Sequence, residues 1–232
     1  MKNYIATLFI LTSLLYAQET GLEAFKKQEY TKAYKLYEKE AKSGNSVSQN
    51  ALSYLNFNGI GTTKNIEKGI FWLKKSAHNM DGVAQYDLAM MYMSGHNIKQ
   101  DKKLAFTWLD SASDLGNANA QYNLALMYYN GDNVDMNVTK SAELLEKAAL
   151  GGNKLALQNV GVVYMQLLQF QKATQWLKVN AHSGDTNAYY LLAEAYIHEE
   201  NFQEAKVWAK KSIDSGNVEA VELWKKYKLD TY

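Results

Sequence analysis

One block of 36 or 32 residues recurs five times along this chain, and this repetition constrains the fold more than any other feature. A glycine opens the block, and methionine takes its place in the second copy. In chain order the opening slot holds Gly44, Met80, Gly116, Gly152, Gly184 and Gly216. Two further slots keep the same spacing. One holds Leu52, Leu88, Leu124, Val160 and Leu192. The other holds Trp72, Trp108, Leu144, Trp176 and Trp208. The phase predicts one structural unit per block.

Each block has the pattern of two helices, which we call A and B. Its apolar residues fall into two groups with helical spacing, for example Ala120, Leu124 and Tyr128, then Ala142, Leu145, Ala148 and Ala149. A glycine followed by asparagine at the block boundary favours the end of one helix and the start of the next. Because neither helix covers its apolar side alone, neighbouring pairs must stack.

The two block lengths differ in the loop between helices A and B. Tyr92 and Ala105 are thirteen residues apart, whereas the corresponding Tyr164 and Ala173 are nine residues apart. The difference of four residues accounts for the two repeat lengths.

The 36-residue blocks resemble Sel1-like repeats, on residues such as Ala84, Leu88, Ala89, Tyr92, Gly95, Ala105, Trp108 and Leu109. The 32-residue blocks are more similar to tetratricopeptide repeats, on Val160, Gly161, Tyr164, Phe170 and Ala173 and their counterparts Leu192, Ala193, Tyr196, Phe202 and Ala205. The resemblance implies an all-α fold, a right-handed α-solenoid of stacked antiparallel helix pairs.

The same phase predicts the domain boundaries. We expect a partial N-terminal helix pair over 18–43, three Sel1-like repeats over 44–151 and two tetratricopeptide-like repeats over 152–215. Residues 216–232 are expected to form a capping helix, with Val218, Val221, Trp224 and Tyr227 facing inward.

The N-terminus has the pattern of a cleaved signal peptide over residues 1–17. Lys2 precedes an almost wholly apolar run from Tyr4 to Tyr16, and Ala17 supplies a small residue at the cleavage point. The run is shorter than the roughly 20 apolar residues of a spanning helix, which disfavours a membrane anchor. We therefore expect a periplasmic or secreted protein without a membrane span after cleavage.

The composition excludes several functions. There is no cysteine, so disulfides, cysteine zinc sites and thiol nucleophiles are ruled out. There is no arginine, and all 25 basic residues are lysines set against 24 acidic ones. Such a balance lacks the basic footprint of a nucleic-acid-binding protein. The four histidines, His78, His96, His182 and His198, have no paired spacing, so we expect no metal and no cofactor.

In repeat arrays of the kind that this chain resembles, helix A lines the concave face. The positions that map to this face hold mostly tyrosine, methionine and amide side chains: Asn50, Tyr54, Tyr86, Met90, Met93, Tyr122, Asn123, Tyr129, Gln158, Asn159, Met165 and Tyr190. Tyrosine and methionine offer adaptable contact area, and amides pair with a peptide backbone. The pattern predicts a monomer with a surface for a peptide or a partner protein. The alternative is that these rings pack between neighbouring A helices as core.

An enzymatic alternative comes from the same resemblance, because some cysteine-rich, exported Sel1-repeat proteins are described as β-lactamases or penicillin binders. That chemistry needs a serine with a lysine one helical turn later. No Ser-x-x-Lys occurs in this sequence, and Lys42-Ser43-Gly44, which resembles the third motif of such enzymes, lies at a repeat boundary. We therefore predict no catalytic residue. A third possibility is a secreted factor that acts on host or competitor proteins.

One modification signal is present. Asn137-Val138-Thr139 is an N-glycosylation acceptor, and Asp135 extends it to the bacterial form of the motif. The hypothesis is a glycan on Asn137 of an exported protein.

Overall fold

The computed structural model describes residues 19–232, which form thirteen α-helices and a final 3₁₀ turn and contain no β-strand. The helices are α1 (Gly21–Lys26), α2 (Tyr30–Lys42), α3 (Ser46–Asn58), α4 (Ile66–His78), α5 (Gly82–Ser94), α6 (Lys102–Asp114), α7 (Ala118–Asn130), α8 (Val138–Leu150), α9 (Lys154–Gln166), α10 (Phe170–His182), α11 (Asn187–His198), α12 (Phe202–Asp214) and α13 (Val218–Lys226), and the 3₁₀ turn is Leu229–Thr231. The predicted all-α fold of tandem helix pairs is confirmed. The predicted signal peptide lies outside the described residues.

The chain divides into two compact units, one ending at Trp72 and one beginning at Leu73. In the first unit, α1 packs on α2 and α2 packs on α3. In the second unit, each helix from α5 to α12 packs on the helix that follows it in sequence. The A helices of the second unit are α5, α7, α9 and α11, and its complete B helices are α6, α8, α10 and α12.

The boundary between repeats is built as the sequence predicts. At four repeat boundaries an asparagine caps the helix that follows, and its side-chain oxygen accepts a hydrogen bond from the backbone N–H three residues later, at Asn45, Asn117, Asn153 and Asn217. The glycine before each asparagine has a φ between +81° and +97°. This left-handed backbone reverses the chain between one helix and the next.

Each unit has its own apolar core. In the first unit, Leu52 and Leu55 of α3 pack with Ala33, Tyr37 and Ala41 of α2. In the second unit, a continuous cluster extends from Leu124 to Leu229. The shared leucine and valine slot is buried throughout, with 0–1% exposure in every copy. Burial of one such side chain contributes about 1.5–3 kcal/mol.

The inward position expected for Val218 needs correction, and the tryptophan slot is buried less uniformly than the leucine and valine slot. Of the tryptophans, Trp208 is buried, but Trp72, Trp108 and Trp176 are only half-buried and pack against the buried clusters. In α13 the buried residues are Ala220 and Leu223, whereas Val218 is 76% exposed. Val218 is the first residue of α13.

A buried glutamine joins the two sides of each 36-residue repeat boundary, a contact that the sequence analysis missed. The Nε2 of Gln49, Gln85 and Gln121 donates to the backbone carbonyl eight residues earlier, at Ala41, Ala77 and Ser113, over 3.0, 3.0 and 3.1 Å. Leu157 takes the same register in the next repeat, and there Asn180 Nδ2 donates instead to the Leu157 carbonyl over 3.0 Å. These bonds tie each A helix to a neighbouring B helix.

Met80 occupies a slot that glycine fills at the other boundaries, and its φ is +61°. A left-handed backbone costs a residue with a Cβ about 1–2 kcal/mol, and glycine avoids this cost. The flexibility of glycine in the unfolded chain offsets part of the resulting gain in stability. We expect Met80→Gly to raise the free energy of unfolding by about 0.5–1 kcal/mol, measured by urea denaturation.

Gly116→Ala is the matched control for Met80→Gly. A Cβ on Gly116 would meet no atom within 4 Å, so only its φ of +81° opposes alanine. We expect this change to lower the free energy of unfolding by about 1 kcal/mol. A destabilised Met80→Gly variant would contradict the prediction and would mean that the methionine side chain stabilises this boundary.

Gln121→Leu tests the buried glutamine bridge. Leucine is the residue that the next repeat carries in the same register, at Leu157. The Ser113 carbonyl keeps its hydrogen bond from the Gly116 N–H. We therefore expect the free energy of unfolding to fall by about 1–2 kcal/mol rather than by the full cost of an unpaired carbonyl. Thermal unfolding measures the loss, and Gln171→Leu, at an exposed glutamine of α10, should change stability by less than about 0.5 kcal/mol. Equal effects of the two substitutions would refute the bridge.

Candidate functional site

The predicted contact residues of the second unit lie on one row of half-exposed side chains, which we call the A-helix face. It comprises Tyr86, Met90, Met93, Tyr122, Asn123, Tyr129, Asn159, Met165 and Tyr190, and none of these is fully buried. Gln158, also on α9, is exposed. Tyr54 lies on α3 in the first unit, where it is 55% exposed, and Asn50 of the same helix is half-buried.

Hydrogen bonds connect successive A helices along this face. Asn123 Nδ2 of α7 lies 3.3 Å from Tyr86 Oη and 3.5 Å from Met90 Sδ, both on α5. The Tyr129 hydroxyl of α7 donates to Gln166 Oε1 of α9 over 3.0 Å. These contacts hold the rings in defined orientations, so a partner would meet a preorganised surface.

The same side chains also contribute to the core. Tyr122, Tyr129, Met165 and Tyr190 each pack one side against the buried cluster of the second unit. Tyr86 and Met93 pack against a smaller cluster around Leu109 and Ala120. Each ring therefore has one side packed against the core and one accessible side. The role of these residues in binding a partner stays a prediction.

Leu126 also belongs to the A-helix face, although the sequence analysis did not select it. Its side chain is 36% exposed, and it has the same register as Met90 and Tyr54 in the preceding repeats. The 36-residue phase was therefore the signal that could have identified it.

The A helices of the second unit contain very little charge. Their four sequences include only three lysine, aspartate or glutamate residues, which are Asp87, Lys154 and Glu194. Helix α6 alone contains four: Lys102, Lys103, Asp110 and Asp114. The charged surface of this unit is thus carried mainly by its B helices and loops, and the A-helix face is aromatic, apolar and neutral polar.

Two titratable groups on the A helices of the second unit, Asp87 and Tyr190, have raised pKa values. Asp87 is exposed, yet desolvation by the surrounding protein raises the pKa of its carboxyl, and the negative charge of Asp81 raises it further. Desolvation also raises the pKa of the Tyr190 hydroxyl, and the nearby Glu194 adds to this shift. Both shifts favour the neutral form, which fits a surface with low charge.

Asn137 has a structural role as the N-cap of α8. Its Oδ1 accepts a hydrogen bond from the Lys140 N–H over 2.8 Å, and Asp101 caps α6 in the same way. The Asn137 side chain is exposed, and its Nδ2 makes no hydrogen bond within the described chain. Glycosylation at this residue stays a prediction.

The motifs considered for catalysis or metal binding have structural roles in the described chain. Ser43 ends α2, and its hydroxyl donates to the Glu40 carbonyl over 2.7 Å. His78 and His182 lie near helix ends, and their rings make edge contacts with Trp108 and Trp208. Residues 19–232 contain no group of three or more histidine, aspartate or glutamate side chains placed to hold a metal ion.

The family assignment follows from the repeats. The model of the Sel1 repeat matches residues 13–45, 46–79, 82–117, 118–153 and 186–217, well over half of the chain. This protein belongs to the Sel1 repeat family. Residues 154–185 lie outside the matched ranges. No curated protein matches the sequence.

Two solved structures illustrate the relationship. A Sel1 repeat protein from Oxalobacter formigenes is 26% identical with a TM-score of 0.64, over 88% of this chain and 84% of that one. The protein c5321 of uropathogenic Escherichia coli, a protective antigen with an SLR fold, is also 26% identical with a TM-score of 0.63. The matched region covers 82% of this chain but only 43% of c5321. Within residues 19–232, no helix is long and apolar enough to cross a membrane.

Proposed function

We propose that this protein is an exported binding module that holds a segment of another protein against its A-helix face. The observation that carries the proposal is the neutral row of half-exposed tyrosine, methionine and asparagine side chains on helices otherwise almost free of charge. Sel1 and tetratricopeptide-like repeats generally serve protein–protein interaction, which supports the same class of function.

The mode of binding follows from the chemistry of this face. Aromatic rings with one accessible side offer large contact area at little cost in rotamer entropy, since their other side is already packed. Side chains without a hydrogen-bond partner in residues 19–232, such as the Asn159 amide, are available to the backbone of an extended segment. The sequence lacks the Ser-x-x-Lys motif that the β-lactamase alternative requires, so the binding function is preferred.

A second candidate is a secreted factor that acts on host or competitor proteins. One observation favours it: the similarity to c5321, which is described as a protective antigen of uropathogenic E. coli. Recovery of the protein from the culture medium rather than from the periplasm would support this candidate over an envelope scaffold.

A comparative pull-down tests the binding face. The mature chain and a folded Tyr86→Ala/Tyr122→Ala variant are each used to capture proteins from the envelope fraction of the native host. We expect a protein that the wild type retains and the variant loses, because truncation of a central anchor costs about 1–3 kcal/mol of affinity.

Val179→Ala/Val207→Ala is the matched control for this pull-down. Each of these two valines is 48% exposed, and they lie on the B helices α10 and α12 rather than on the A-helix face. Their replacement should leave the captured protein in place. Equal capture by the tyrosine variant and the wild type would reject the A-helix face as the binding surface.

The mass of the protein purified from its native host tests export and modification together. Cleavage after Ala17 would give a chain that begins at Gln18. A glycan on Asn137 would add mass to the peptide that contains residues 135–139, and Asn137→Asp should remove it while preserving the cap of α8. An uncleaved chain would contradict the proposed export, and an unmodified 135–139 peptide would contradict the glycan.

A further inference from the structure

A cleft of about 300 Å³ opens on the A-helix face between α9 and α11. Gln158 and Val162 of α9 form one wall, and the floor and opposite wall comprise Leu177, Asn180, Asp185, Asn187, Ala188 and Leu191. We propose that this cleft binds the basic side chain, arginine or lysine, of the protein segment held on the A-helix face. The inference rests on the proposed function and identifies a chemical feature of the partner.

The cleft is present where the repeat departs from its own pattern. Tyrosine occupies one register of the A helix in three repeats, as Tyr86, Tyr122 and Tyr190. In α9 the same register holds Gln158, whose side chain makes no hydrogen bond within the described chain. The smaller and flexible glutamine leaves open the space that an aromatic ring occupies in those three repeats.

The floor of the cleft presents a hydrogen-bond acceptor without a donor. Asn180 is only 2% exposed, and its Nδ2 donates to the Leu157 carbonyl over 3.0 Å, which fixes the orientation of the amide. Asn180 Oδ1 accepts no hydrogen bond from residues 19–232. Asn180 lines the cleft, so a ligand that donates an N–H to this oxygen would supply the missing bond.

The charge of the lining favours a cation. Asp185 is the only charged residue in the lining, which contains no lysine or histidine. Asp185 Oδ1 accepts from the Asn187 N–H over 3.0 Å, and Oδ2 has no donor within the described chain. Asn187 provides a further amide at the same end of the cleft. An anionic ligand would be repelled here, whereas a guanidinium or ammonium group would find several acceptors.

The remaining walls suit the aliphatic part of the same side chain. Val162, Leu177, Ala188 and Leu191 provide apolar contact between the mouth and the floor. Lysine and arginine place their methylene groups along apolar surface and their charged group on polar atoms. A purely apolar side chain would fill the cleft but would leave Asn180 Oδ1 buried without a donor, so the basic side chain fits the lining better.

The test compares two small probes of similar size and shape that differ in their terminal group, which is a charged guanidinium in one and a neutral urea in the other. N-acetyl-arginine methylamide and its neutral isostere N-acetyl-citrulline methylamide are titrated into the ¹⁵N-labelled mature protein. We expect saturable shifts of the Asn180 and Gln158 side-chain amide signals with the arginine probe. Citrulline should bind about fivefold more weakly, the effect of one partly exposed ion pair. Absence of saturable shifts, or equal affinity for the two probes, would overturn the proposal.

Two variants taken from the repeat itself locate the site. Asp185→Asn introduces the residue found at the same register in Asn45, Asn117, Asn153 and Asn217, so the turn before α11 is preserved while the charge is removed. The Asp185→Asn substitution should lower the affinity for the arginine probe to the affinity that the wild type has for the citrulline probe. Gln158→Tyr introduces the tyrosine of the other repeats, and it should fill the cleft and abolish binding. Unchanged binding to either folded variant would also overturn the proposal.

The outcomes separate this site from the proposed function. The Tyr86→Ala/Tyr122→Ala variant should bind the arginine probe normally, because neither tyrosine lines the cleft. Capture of a partner in the pull-down without binding of the probe would reject the cleft and keep the A-helix face. Binding of the probe without capture of a partner would keep the cleft as a site for basic side chains and reject the proposed scaffold function.

Discussion

The rest of this structure depends on one constraint, which is that a helix of thirteen residues buries its apolar side only by packing on its neighbours in sequence. Alanine or glycine at the contacts between helices A and B allows this approach, and a Cβ on Gly161 would lie only 2.8 Å from the Leu177 Cγ. Because contacts join near neighbours, the core of the second unit is a continuous row of small layers rather than a single centre.

This arrangement also explains why charge is segregated. In the second unit, an A helix such as α7 packs on B helices on both sides, and side-chain hydrogen bonds connect it to the A helices on either side, α5 and α9. Only a narrow stripe of each A helix reaches solvent, and a charged residue there is partly desolvated, as the raised pKa of Asp87 indicates. Tyrosine tolerates this half-buried position because its ring packs on one side while its hydroxyl reaches a polar neighbour or solvent.

The contact residues could be selected from the sequence because the repeat gives each residue a register, and register determines which side of a helix it occupies. The sequence did not reveal the half-buried state of the rings, the bond between Asn123 and Tyr86, or the partial exposure of Trp108. These depend on the separation and tilt of adjacent helices. The exposed position of Val218 has the same origin, since periodicity identifies an apolar stripe but not where the neighbouring helix ends.

The sequence by itself determined the secondary structure, the repeat phase and the family, because helical periodicity is a local property of every block and a glycine–asparagine pair marks four of the block boundaries. Only the tertiary structure decided which polar groups find partners. The buried bonds of Gln121 and Asn180 and the open cleft beside Gln158 arise between residues 8 to 33 positions apart. Whether such groups meet depends on how neighbouring helices pack, and spacing along the chain does not specify that geometry.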